Sequence, residues 1–163
     1  DTADGFFHYA GKYGEKLIAA KKEIFDNVIP SSNSVMAQNL FEAGVLLDKS
    51  EWKKMAEDMT FSLKHLITSE PNYMSNWSIV YAGIRKGMAE ISFVGENAGE
   101  LRKEFHQHHY FPFALTVGTP SESDLPLLIG KQAVDGKTTI HVCYDNTCQR
   151  PVHTVAEALK ELR

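Results

Sequence analysis

Near residue 88 the apolar residues of this chain change their period. Before that point they recur three and four apart, the spacing of helices with one buried face. Beyond it, short β-branched runs alternate with helical stretches, the pattern of strands joined by crossovers. One regular architecture cannot satisfy both periods. The sequence therefore predicts an α+β chain in two parts, about 1–88 and about 89–163. The first part reads as helical with an N-terminal β-hairpin. The second reads as a small α/β unit with a mostly parallel three-stranded sheet.

In the first part, the apolar runs 6–9 and 17–20 flank Gly11, Tyr13 and Gly14, as in a hairpin. Three helices are expected next. The first begins near Ser31–Ser34, whose side chains suit a helix N-terminus, and carries Val35, Leu40, Phe41, Val45 and Leu46. In the second, Trp52, Met55, Ala56, Met59, Leu63, Leu66 and Ile67 form one stripe that ends before Pro71. The third runs from about Ser75 to Gly87. In the second part, strands are expected at 90–94, 113–117 and 139–144. A helix over 97–109 has Asn97 and Glu100 in capping-box positions, and Thr154 and Glu157 form a second box before the last helix. Asp135-Gly136 marks a tight turn, with 132–134 able to pair back.

The formal net charge of -4 leaves no broad basic surface for tracking phosphates, so nucleic-acid binding is disfavoured. No apolar run approaches the roughly 20 residues of a membrane helix. Two cysteines do not make a disulfide scaffold and point to a cytoplasmic protein. The chain opens Asp1-Thr2-Ala3-Asp4, without methionine or a signal-peptide pattern, and reads as the continuation of a longer protein.

Several constellations have both a chemical and a structural reading. Cys143 and Cys148 have four residues between them at the end of a β-like run. They suit buried free thiols, a disulfide clip, or half of a zinc site completed by His141 and His153. His106, His108 and His109 cluster at a helix end; the helix dipole explains them, and a third metal ligand is missing. Gly95 and Gly99 imitate a phosphate loop. That stretch lacks the P-loop lysine, and Glu96 and Glu100 would repel phosphate. No metal or cofactor is expected from these spacings.

Two motifs point to a family: D-x-x-x-P-S-x-N-S at 26–34 and C-x-x-x-x-C-x-x-P-V at 143–152. With DTADGFFHYAG, EPNYMSNW and EISFVG in the same order, the chain resembles the C-terminal end of a known group. These are the long thioredoxin-domain-containing proteins related to spermatogenesis-associated protein twenty and its bacterial YyaL-type relatives. The resemblance implies a partial α/α toroid similar to N-acylglucosamine 2-epimerase. The thioredoxin-like domain and the rest of the toroid would lie elsewhere in the parent. Ser32 stands where the family usually has glycine, and Val28 where alanine is usual.

By this resemblance, Asp26, Ser31, Asn33 and Ser34 would line a cavity mouth and bind sugar hydroxyls, unless they serve only as helix caps. Phe6, Phe7, His8 and Tyr9 would stack on a sugar ring or simply cover a helix face. The implied activity of the parent is sugar isomerisation or epimerisation, with a carbohydrate ligand and this chain supplying cavity-lining loops. The alternative is a non-enzymatic binding platform accompanying the thioredoxin-like domain in a redox or protein-handling role. Apolar faces without their toroid neighbours predict self-association of the isolated chain.

Overall fold

The computed structural model describes residues 4–11, 13, 14, 21–108 and 111–163, with His108 described by its backbone alone. Contacts divide the chain into two units: Asp1–Gly44 with Lys49–Arg85, and Val45–Asp48 with Lys86–Arg163.

Unit 1 is built on α1 (Ser32–Leu46), α2 (Ser50–Ser62), α3 (Lys64–Ser69), a 3-10 turn (Pro71–Tyr73) and α4 (Ser75–Lys86). The expected second helix is thus two. Thr60 Oγ1 donates to Ala56 O at 2.7 Å and Ser62 Oγ to Met59 O at 2.7 Å. Hydroxyls that bond back onto helix carbonyls loosen the main-chain ladder. The break follows at Leu63, with φ -96° and ψ 5°. Both helices keep the same apolar stripe, so Met59 and Leu63 share a core with Ala37, Met74, Trp77 and Val80. Trp77 is fully buried, its indole N–H donates to Ile24 O at 2.8 Å, and Phe6 meets it edge-on at 6.2 Å. Between α1 and α2 the backbones approach closely. A Cβ on Gly44 would lie 2.8 Å from Lys53 Cγ and 2.9 Å from Lys53 N.

The second arm of the expected hairpin, 17–20, lies outside the described residues. Residues 6–8 form no regular strand, although the Tyr9 N–H donates to Lys21 O at 2.9 Å.

Unit 2 holds β1 (Ala89–Val94), α5 (Ala98–His108), β2 (Ala114–Thr119), a 3-10 turn (Pro126–Leu128), β3 (Thr139–Tyr144), β4 (Thr147–Cys148) and α6 (Val155–Lys160). The sheet is open, with order β2-β1-β3-β4. Only β1 and β2 are parallel; β3 runs antiparallel to β1, and β4 to β3. The expectation of a mostly parallel, three-stranded sheet is corrected here. A parallel connection needs a crossover of about a dozen residues or more, usually helical. Helix α5 provides one between β1 and β2. Between β2 and β3 the only helical element is the three-residue turn at Pro126, so β3 enters on the other side of β1 reversed. Residues 132–134 form no strand and contribute a single bridge, Val134 to Lys137.

Alternation along the strands assigns the faces. Ala89, Ile91 and Phe93 join Ile140, Val142 and Tyr144 against Ala98 and Phe105 of α5 and Val155 and Ala158 of α6. Glu90, Ser92 and Val94 point the other way, where Val94 and Val117 pack against Leu127 and Leu128. The predicted box at α6 is present: Thr154 Oγ1 accepts from Glu157 N–H, and the Glu157 carboxylate accepts from Thr154 N–H. No helix among the described residues is long and apolar enough to cross a membrane.

Candidate functional site

The motif residues of unit 1 come together around Asp26. Its Oδ1 accepts from the Ser31 N–H and the Ser34 hydroxyl, each at 2.8 Å, and its Oδ2 accepts from the Asn76 N–H at 2.8 Å. One carboxylate therefore holds the start of α1 and caps the start of α4. Ser31 is the N-cap of α1: its Oγ accepts from Ser34 N–H at 3.2 Å and donates to Ile24 O at 2.9 Å. Asn33 acts as a strand mimic, accepting from Phe7 N–H at 2.7 Å and donating to Phe7 O and Glu23 O at 2.9 Å. Asp26, Ser31, Asn33 and Ser34 are each at most 2% exposed. The structure thus joins Asp26, Ser31 and Ser34 in one hydrogen-bond network, while Asn33 bonds separately to Phe7 and Glu23. Phe7 and His8 are half-buried beside it, and Phe7 packs on the unit's core.

Unit 2 contains a cleft of about 580 Å³ at the carboxyl end of β1. The chain leaves β1 through Gly95, whose φ of +128° favours glycine, and a Cβ there would meet Thr138 Cα at 2.7 Å. Asn97 N–H donates to Thr138 Oγ1 at 3.0 Å, so the segment before β3 is fastened to the start of α5. Glu96, Glu100 and Glu104 line one side of the cleft; Lys137 and His153 also line it. The His153 Nδ1–H donates to Thr138 O at 3.1 Å.

Apart from His141, weighed above as a zinc ligand, the polar face of the sheet carries groups that sequence reading did not single out. Glu90, Ser92 and His141 are buried there. Lys131 Nζ donates to Leu127 O at 2.7 Å and to Ser92 Oγ at 3.0 Å. Burial pulls the Lys131 amine below its usual range, opposed by the nearby Glu90 charge. Burial likewise pulls His141 below 6.5, against the bond its Nε2–H makes to Gln132 O at 3.3 Å, and Lys131 lowers it further. The available signal was strand parity: in A-E-I-S-F-V, the glutamate and the serine share a face.

Cys143 and Cys148 are joined in a disulfide across β3 and β4. Of the three sequence alternatives, the structure takes the clip. Both sulfurs are consumed, leaving no thiolate for zinc. Among the described residues no three His, Cys, Asp or Glu side chains group to hold a metal. His109 lies outside the described residues. His106 Nε2 shares a 2.7 Å hydrogen bond with the Thr116 hydroxyl.

No protein-family model, no curated protein and no solved structure matches the chain.

Proposed function

We propose that this chain is a binding platform accompanying a thioredoxin-like domain, and that the cleft at the carboxyl end of β1 receives its ligand. The position of that cleft carries the reading. β1 has β2 on one side, reached through α5, and β3 on the other. Open sheets take ligands outside the carboxyl ends of their strands where the strand order reverses. The reading rests on that analogy of site position alone. Three glutamates against one lysine and one histidine suit an extended polypeptide bearing basic side chains. Titration calorimetry with a panel of lysine- and arginine-rich peptides tests it. Binding that is lost in Glu100→Lys and Glu104→Lys supports the platform; no binding across the panel rejects it.

A second reading makes the chain the C-terminal part of a carbohydrate-active α/α toroid resembling N-acylglucosamine 2-epimerase. An aromatic pair favours it. Phe25 and Tyr73 meet edge-to-face at 6.5 Å beside Asp26, and both are about half exposed. Such rings offer a face to a sugar. On this reading the chain supplies a wall, while Asp26 and Asn33 hold it in shape. Turnover of a reducing sugar by the longer protein, lost in Asp26→Ala and Asn33→Ala, supports it. A sugar panel with no binding and no turnover removes it.

Both readings carry a cytoplasmic location, a compartment in which disulfides are transient. They also carry self-association through exposed apolar side chains such as Val28 and Ile29. A clean monomer by light scattering at working concentration would count against that association.

A further inference from the structure

The two sulfurs of the disulfide sit in opposite surroundings. Cys143, in β3, is fully buried, whereas Cys148, in the two-residue β4, is exposed. They face each other directly in the antiparallel register. The hairpin around them is held by bonds that need no sulfur. Its turn is Asp145-Asn146, with φ 47° and 60°, and Gln149 N–H donates to Val142 O at 2.8 Å. Asn146 N–H donates to the Glu90 carboxylate at 3.3 Å, and Asn146 Nδ2 to Asp48 Oδ1 at 3.2 Å. The cysteines therefore stay opposed when the S–S bond is open.

Glu90 is the register partner of Cys143 on β1 and shares its face of the sheet. Directly opposed antiparallel side chains have Cβ atoms about 5 Å apart. Glu90 is itself only 3% exposed. Asn146 N–H and the nearby Lys131 hold Glu90 there as a carboxylate, a group able to carry a proton to and from a sulfur out of contact with water.

We propose that Cys143 and Cys148 form a thiol–disulfide exchange site for an external dithiol or disulfide. Cys148 is the sulfur that exchanges, Cys143 is the sulfur that resolves, and Glu90 carries the proton of Cys143. The site stands apart from both functional readings above, because the cleft is at the far end of β1. In the reducing direction, a thiolate of the external dithiol attacks Cys148 Sγ. A new S–S bond forms there, and the bond to Cys143 breaks. The electron pair leaves on Cys143 Sγ, and a proton from water reaches that sulfur through the Glu90 carboxylate, which is charged before and after the step. The second thiol of the partner, deprotonated by water, then attacks its own sulfur in the mixed disulfide. The Cys148 thiolate is released and picks up a proton from solvent. The partner loses two electrons and the protein disulfide gains two. In the oxidising direction the Glu90 carboxylate accepts the Cys143 proton as that sulfur closes on Cys148. Burial imposes the order of events: an external sulfur reaches Cys148 and not Cys143.

The test uses the reduced full chain and the disulfide dye dithiobis-nitrobenzoate. Wild type should release thionitrobenzoate in two phases, the first from attack by Cys148 and the second from resolution by Cys143. Cys143→Ser should stop after the first phase, with the adduct mapped to Cys148 by mass spectrometry. Cys148→Ser should stay unlabelled until denatured. Glu90→Gln should keep the first phase and slow the second roughly tenfold or more, and Glu90→Asp should restore it. Equal native-state labelling of the two single-cysteine variants would overturn the order of attack, whatever the glutamate variants do. An unchanged second phase in a folded Glu90→Gln would remove Glu90 from the step.

Discussion

Asp26 concentrates more structural consequence than any other side chain of the motif that pointed to a sugar cavity. Its two oxygens accept three hydrogen bonds from two helix starts. Removing the carboxylate leaves the Ser31 and Asn76 N–H groups without their acceptor, while the Ser34 hydroxyl keeps Ser31 O at 2.9 Å, and each orphaned N–H costs about 1–3 kcal/mol. Asp26→Ala should therefore lose on the order of 3 kcal/mol of stability in urea melts, while Asp26→Asn should lose less because its carbonyl oxygen keeps part of the set. A melt unchanged in Asp26→Ala would contradict the double-cap role. Gly95 is the second sensitive residue, for a different reason. Gly95→Ala brings a Cβ to 2.7 Å from Thr138 Cα in a backbone conformation that side chains rarely adopt. It should cost about 1–3 kcal/mol and disturb the Asn97–Thr138 bond, seen as loss of amide protection at Asn97.

At the scale of elements, caps and register decide more than propensity. The α6 box was legible as T-x-x-E, because a cap is a local arrangement that sequence spacing alone can specify. Thr154→Ala should cost about 1 kcal/mol and fray α6, read by exchange at Val155 and Ala158. The Thr154 hydroxyl holds the Glu157 carboxyl below its usual 4.5, helped by the His153 N–H. Its contribution is therefore present above about pH 4.5 and fades as the pH falls through the folded value. The α2–α3 break was not legible, because the apolar stripe continues through Leu63 while the disruption lies in where Thr60 and Ser62 send their hydroxyls. The positions of β1, β2 and β3 were read to within two residues, but β4 and the direction of β3 were not. Alternating strands and helices imply parallel pairing only where each connection contains a real crossover helix, and that between β2 and β3 does not.

For the whole molecule, the polar face of the sheet sets a pH dependence. Burial holds His141 below 6.5, so between its folded value and 6.5 the unfolded chain binds the proton more readily. Stability should accordingly fall as the pH drops below about 6.5 and level off once the folded ring is also protonated. Urea midpoints measured across that range should show the slope, and His141→Gln should flatten it. An equal slope in the variant would assign the effect to other histidines. Lys131 works in the same sense at high pH, because its lowered amine value means that the unfolded chain holds the extra proton there.

By itself the sequence determined the α+β class, the change of character near residue 88, the α6 cap, the start of α1 and the absence of a long apolar span. All of these depend on neighbours in the chain: apolar period, capping spacing and composition act over a few residues. Only the tertiary structure decided that Asp26 reaches Asn76, that Glu90 faces Cys143, that the two cysteines are joined and that β3 runs antiparallel. Those depend on which distant segments share a sheet or a core. The Asp and Ser of the motif can bind a ligand or hold helix starts with the same atoms, and spacing along the chain does not distinguish the two.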